Sequence, residues 1–143
     1  MVISRKSNLL MYVLIVASVF SICTSVFAAN DPSDDVSYSF TIPASSDGYG
    51  NGYSSTQSRS TAEQDASWYL NFGYSGEGAG TITTMWLDKS GTPKSSPESY
   101  YQGHTYTTIV YTSVSGSVRI GAENNNYSTK SYTVSGSWDP AVY

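Results

Sequence analysis

The chain has little of what most catalytic sites are built from. Of its 143 residues one is cysteine and one is histidine, and charged residues make up only 13%. A lone thiol, Cys23, excludes an intrachain disulfide, and with His104 as the one imidazole no Cys/His zinc set can be assembled. Seven basic against eleven acidic residues give a net charge of −4 at pH 7. That balance lacks the basic footprint a phosphate backbone requires, so nucleic acid is not an expected partner. Long apolar runs are scarce too. The one present, Leu9 to Ile22, falls short of the ~20 residues that a bilayer-spanning helix needs.

That run follows Arg5 and Lys6 and leads to Val26-Phe27-Ala28. A basic start, an apolar centre and small residues before a cut describe a secretory signal peptide over 1–28, cleaved after Ala28. Lipid attachment at Cys23 would need small residues just before it, and Ile22 stands there instead. Cleavage leaves 115 of the 143 residues, no thiol, and five basic against eleven acidic side chains, a net charge of −6. A disulfide-free exported chain fits a bacterial, Gram-positive secretion route, since small domains of oxidising compartments often staple themselves. Residues 29–35, with Asp31, Asp34 and Asp35 around Pro32, form an acidic lead-in. Clustered carboxylates suit calcium, but a loose new N-terminus is the favoured reading, since chain ends are usually poorly ordered.

What the chain has in quantity is tyrosine, thirteen residues, with serine, threonine, asparagine and glycine around it. Such a composition favours strands. Val36, Tyr38, Phe40 and Ile42 alternate with polar residues until Pro43, and Trp68, Leu70, Phe72 and Tyr74 repeat the pattern. In a third strand either Ile82, Thr84 and Trp86 or Met85 and Leu87 form the apolar face. His104 to Thr112 is a fourth. Val118, Ile120 and Ala122, then Tyr132, Val134, Gly136 and Trp138, mark two more. The loop Asn124 to Ser131 reads as the turn of a closing β-hairpin, with Ile120 opposite Val134 or Tyr132 and Asn124 to Tyr127 as its exposed tip. The glycine-rich Ser75 to Gly80 reads as another hairpin turn, and Asp139-Pro140 as the end of the last strand. Ala44 to Ser67 reads as a loop with an irregular edge strand or a helical turn at Thr61 to Asp65, and Asp88 to Gln102 as a loop rich in proline and serine. The expectation is an all-β, antiparallel sandwich or small barrel of about six strands, a single domain over 36–143.

Chemistry finds few footholds. Asp47, Asn51 and Gly52 fit three places of a calcium loop, but Tyr49 and Ser58 occupy the third and twelfth. Gly76 to Gly80 lacks the lysine of a phosphate loop. Gly73-Tyr74-Ser75-Gly76 opens like a hydrolase elbow, but Glu77 replaces the closing glycine. His104 at a strand start reads as an edge residue. Glu77, Asp88, Glu98, Glu123 and Asp139 could serve glycoside hydrolysis only if two were brought together, and nothing in their spacing does so. No metal or cofactor is expected. The tryptophans Trp68, Trp86 and Trp138 read as core. Tyr69, Tyr100, Tyr101 and Tyr127 are the candidates for an exposed aromatic surface.

Tyr74-Ser75-Gly76-Glu77-Gly78 with Gly80-Thr81, Thr83-Thr84 and Trp86-Leu87, then Ala122 to Tyr127 and Val134-Ser135-Gly136 with Trp138-Asp139, resemble the bacterial family catalogued as domain of unknown function twenty-seven twelve. That resemblance implies a small exported protein and supplies no activity. In size, export signal and β character the chain is also similar to lactococcin-972-type bacteriocins, without a shared motif. Together these imply a secreted, non-enzymatic protein that acts through a surface on a cell envelope, a glycan or another protein. The alternative is a carbohydrate- or cell-wall-binding module.

Overall fold

The computed structural model describes residues 31, 33–45, 50–61, 66–108, 110, 113–125 and 127–142. The expected signal peptide, Cys23, positions 47–49 of the candidate calcium loop and positions 62–65 of the expected helical turn lie outside the described residues, while Gly52 and Ser58 of that loop fall in short strands. Ten strands follow in order: β1 (Val36–Ile42), β2 (Gly52–Tyr53), β3 (Gln57–Arg59), β4 (Ser67–Ser75), β5 (Ile82–Lys89), β6 (Thr92–Pro93), β7 (Glu98–Tyr101), β8 (His104–Thr108), β9 (Gly116–Glu123) and β10 (Tyr132–Val142). They form two open antiparallel sheets. One has the order β1-β10-β4-β8; the other has β2-β9-β5-β6, with β3 added on β9 and β7 on β5. The all-β sandwich is thus as the alternation predicts. The extra strands β2, β3, β6 and β7 are short pieces within stretches that read as loops.

Period-two alternation builds the space between the sheets. Tyr38, Phe40 and Ile42 from β1, Trp68, Leu70 and Phe72 from β4, and Val134 and Trp138 from β10 meet Met85, Leu87, Tyr100, Val118, Ile120 and Ala122 from the other sheet. On β5 it is therefore the Met85 and Leu87 face that is internal. At the centre the indoles of Trp68 and Trp138 meet edge to face, centroids 6.4 Å apart, and Tyr100 leans on Trp68 at 6.1 Å. Such pairs each add about 0.5–1.5 kcal/mol beyond their area.

The connections differ from the expected hairpins. β9 and β10 do not pair with each other. Ile120 lies opposite Leu87 on β5, Val134 opposite Phe40 on β1, and Tyr132 opposite Ile42. The loop after Glu123 carries the chain from one sheet to the other, and its eight residues span the ~10 Å between layers with ease. Ser75 to Gly80 crosses in the same way, since β4 and β5 belong to different sheets. Gln102-Gly103 joins β7 of one sheet to β8 of the other. The tight hairpin is β5–β6, where Asp88 pairs with Pro93 and Lys89 with Thr92. Ser90 and Gly91 between them both have positive φ, 56° and 84°, the requirement of a two-residue turn that follows strand twist.

Two further departures have local causes. β10 does not stop at Asp139-Pro140 but runs to Val142, with its register to β4 broken between Asp139 and Val142. Proline, lacking an N–H, is accommodated at such an irregularity. Arg59, in a stretch that reads as polar surface, is 1% exposed. Its Nε donates to the Val114 carbonyl at 3.2 Å, and its two terminal nitrogens donate to the carbonyls of Pro140 and Ala66.

Candidate functional site

Strand register collects several ends of the sandwich in one place. β1, β4, β7 and β9 finish there, and β5, β8 and β10 begin there. The Gln102-Gly103 crossing ties the two sheets together at this end. Gln102 N donates to Thr81 O at 3.1 Å, Gly103 N to Phe72 O at 2.6 Å, and the Gln102 side chain to Gly73 O at 3.0 Å. Among the described residues the exposed large hydrophobic side chains are Tyr74 (54%), Tyr101 (48%) and Tyr127 (69%), and all three sit at this end.

Each ring is delivered by a specific backbone device. On β4, Ser135 opposes Tyr74 while Ser137 opposes Asn71. Phe72 and Gly73 together therefore face the single residue Gly136, a β-bulge. The bulge shifts the phase of the strand, so Phe72 points inward and Tyr74, two residues on, points out. Simple alternation had placed Tyr74 in the core; Gly73 and Gly136 were the signal that it is not, since glycine inside a strand often marks a bulge. On β7 the phase separates two neighbours. Tyr100 is 1% exposed and its hydroxyl bonds Thr108 Oγ1 at 2.8 Å, whereas Tyr101 faces out. Tyr100 is thereby corrected from a surface candidate to a core residue.

Tyr127 stands on the β9–β10 crossing with φ of 54°, a conformation that aromatic residues rarely adopt and that surrounding structure must enforce. The enforcement comes from Asn124. Its side chain accepts from Ser128 N at 3.0 Å and donates to Ser128 O at 3.1 Å, and Ser45 N also donates to that carbonyl. Asn124 is itself buried, so the exposed tip is narrower than the sequence suggests. Asn125 reaches across to Ser99 Oγ on β7 at 3.3 Å, linking the Tyr127 loop to the strand that carries Tyr101.

His104 completes this end. Its ring lies 6.4 Å from Tyr101 and 6.4 Å from Tyr106, while the Tyr106 hydroxyl accepts from Tyr101 N at 2.8 Å. Tyr69, the remaining sequence candidate, is elsewhere. It lies on the outer face of the four-stranded sheet between Asp139 and Thr107, half-buried. Burial, with the charge of Asp35 added, raises its ionisation above the ordinary tyrosine value.

The carboxylates are held apart or committed. Asp88 accepts Arg119 Nε at 2.8 Å and Gly91 N at 2.9 Å; Asp139 accepts Ala141 N. Glu98 pairs across Met85 and Glu123 across the adjacent Thr84, so they project from opposite faces of the sheet. Among the described residues no group of three His, Cys, Asp or Glu side chains is placed to hold a metal, and no helix is long and apolar enough to cross a membrane. The tyrosine-bearing end offers ring faces, hydroxyls and amides on a framed set of crossings.

No curated protein sequence and no solved structure matches the chain, and the likeness to lactococcin-972-type bacteriocins is not shown. The family described as "Protein of unknown function (DUF2712)" matches residues 24–142, the whole of the described sandwich, and the chain belongs to that family.

Proposed function

We propose that this is a secreted, non-enzymatic binding protein that meets glycan of the cell envelope through the tyrosine-bearing end of its sandwich. The observation that carries the reading is the placement of Tyr74, Tyr101 and Tyr127 together at one end. The connecting residues there are rich in glycine, asparagine and serine, with Gln102 at the crossing from β7 to β8. Tyrosine gives large contact area at low entropic cost, and serine, glycine and asparagine give adaptable hydrogen bonding, which is the composition of binding loops on sandwich scaffolds. Sugars present apolar faces ringed by hydroxyls, so they match stacked tyrosine with amide and hydroxyl neighbours. Export rests on the signal-peptide pattern of residues 1–28, and a net charge of −6 after cleavage argues for contacts made by shape and hydrogen bonding.

Retention of the purified protein on insoluble cell-wall material or on a glycan array tests the reading. Tyr101→Ala and Tyr127→Ala are expected to lower retention about tenfold each without changing the melting temperature, as for loss of an aromatic anchor. A wild-type protein that binds neither matrix overturns it. Mass spectrometry of the protein in culture medium, expected to begin at Ala29, tests the export half separately.

A further inference from the structure

The outer face of the four-stranded sheet is built almost wholly of hydroxyls. Tyr38, Phe40, Ile42, Val134 and Trp138 turn inward, so alternation turns Ser37, Ser39 and Thr41 outward on β1 and Thr133, Ser135 and Ser137 outward on β10. Register sets them in rows, with Ser37 opposite Ser137, Ser39 opposite Ser135 and Thr41 opposite Thr133. The rows continue onto β4 and β8, where Asn71 lies between Ser137 and Thr105, and Tyr69 lies beside Thr107. None of these side chains carries a charge. At the margin, Asp35 Oδ2 accepts from Ser137 Oγ at 3.1 Å, and Asp139 is buried with Oδ1 committed to Ala141 N. Edge strands are usually guarded by lysine, and the edges of this sheet, β1 and β8, carry none.

Two rings bracket the rows. Tyr69 and Tyr74 are five residues apart on β4, an odd interval that in a regular strand places side chains on opposite faces. The bulge of Phe72 and Gly73 opposite Gly136 takes up the odd residue. Tyr74 therefore comes out beside Ser135, on the face that carries Tyr69 and Asn71. The two rings then stand about 13 Å apart along the strand, at ~3.3 Å for each remaining step. Between them the side chains of Asn71, Thr105 and Ser135 have no hydrogen-bond partner among the described residues, so their donors and acceptors are open to a ligand.

We propose that this face holds an extended, uncharged polysaccharide chain along β4, with Tyr69 and Tyr74 stacking on sugar rings and the rows between them bonding hydroxyls. The inference rests on the reading of the protein as a glycan binder, and it names the class of glycan: a polymer engaged along its length rather than a single terminal sugar. Phosphate- and carboxylate-bearing polymers find no cation in these rows and are repelled by an acidic protein. A lipid surface or a second copy needs contiguous apolar area, and the rows offer only the two tyrosine rings. A neutral chain of rings edged with hydroxyls matches both the rings and the hydrogen-bonding groups. Tyr74 belongs to this face and to the tyrosine end alike, so the two surfaces are continuous.

The test titrates the purified protein with chito-oligosaccharides, from the disaccharide to the hexasaccharide, and follows backbone amide shifts by NMR beside the cell-wall retention assay. Affinity that rises with chain length, with shifts at 37–41, 69–74, 105–107 and 133–137, supports the proposal. Tyr69→Ala and Ser135→Lys are each expected to weaken the hexasaccharide about tenfold, as for loss of one anchor, with cooperative melting retained. Equal affinity for the disaccharide and the hexasaccharide overturns the proposal, as do shifts confined to Tyr101 and Tyr127 or no shift on this face with any oligosaccharide. Retention on cell-wall material in those cases leaves the tyrosine end as the glycan site, whereas loss of retention as well removes both readings.

Discussion

The indole of Trp86 occupies the space above Gly121 on the facing strand. A Cβ on Gly121 would stand 2.5 Å from both Cε2 and Nε1 of that ring. The two residues are register partners, and they lie on the face of β5 turned away from Met85 and Leu87, outside the main apolar cluster. Trp86 is nonetheless only 4% exposed, so this small glycine seats a large ring on the outer side of a sheet. Gly121→Ala must displace the indole, and a loss of about 1–3 kcal/mol is expected. Urea unfolding checks it, and a midpoint equal to wild type would refute the close seat.

Arg59 offers a test of a buried cation. Lysine keeps the charge but lacks the planar fork that reaches the carbonyls of Val114, Ala66 and Pro140. Arg59→Lys is expected to cost about 2–4 kcal/mol, as for a buried network left part-satisfied. If thermal melting is unmoved, the three-carbonyl anchor is not what holds β3 to the sandwich.

Alkaline pH should weaken the fold. Burial pushes the Tyr132 hydroxyl up to about 12, its bond to Thr83 offsetting part of the rise and Glu77 adding to it. Tyr38 and Tyr100 are also pushed up by burial. An unfolded tyrosine ionises near ~10, so above that pH the native chain holds protons that the unfolded chain has released. Stability is then fully present below about pH 10 and is lost as pH rises through the folded values. Denaturation midpoints at about pH 8 and 9 should agree and that at about pH 11 should be lower; equal midpoints at all three would contradict the burial of these hydroxyls.

A chain ending at Ser115 loses β9 and β10 together. β10 is the strand between β1 and β4, and β9 the strand that joins β2 and β3 to β5. Both sheets come apart at their centres, and the truncated chain is expected to show no cooperative melting transition in calorimetry. A cooperative transition would show that the remaining strands can pair without them.

The alternation along Val36 to Ile42, Trp68 to Phe72, Val118 to Ala122 and Tyr132 to Trp138 was legible because side-chain direction in a strand is a local property. The partners of those strands were not. Ile120 and Val134 present matching apolar faces whether their strands pair edge to edge or face each other across two layers, and sequence spacing allows both. The candidate site depended on phase. Tyr101 and Tyr127 were recognisable as exposed tyrosines beside turn residues. Tyr74 was hidden by a one-residue bulge, and Tyr100 was misplaced because adjacent tyrosines on a strand point opposite ways.

The pairing of Val36 with Trp138 also sets an order of events. The first strand has no partner on its own sheet until the last one arrives, about a hundred residues later along the chain. Closure of so long a loop is slow, and folds dominated by distant pairings form in about milliseconds to seconds. A chain made from its N-terminus therefore keeps its first strand unpaired within that sheet until its final residues are available, with the fold itself acting as its own delay.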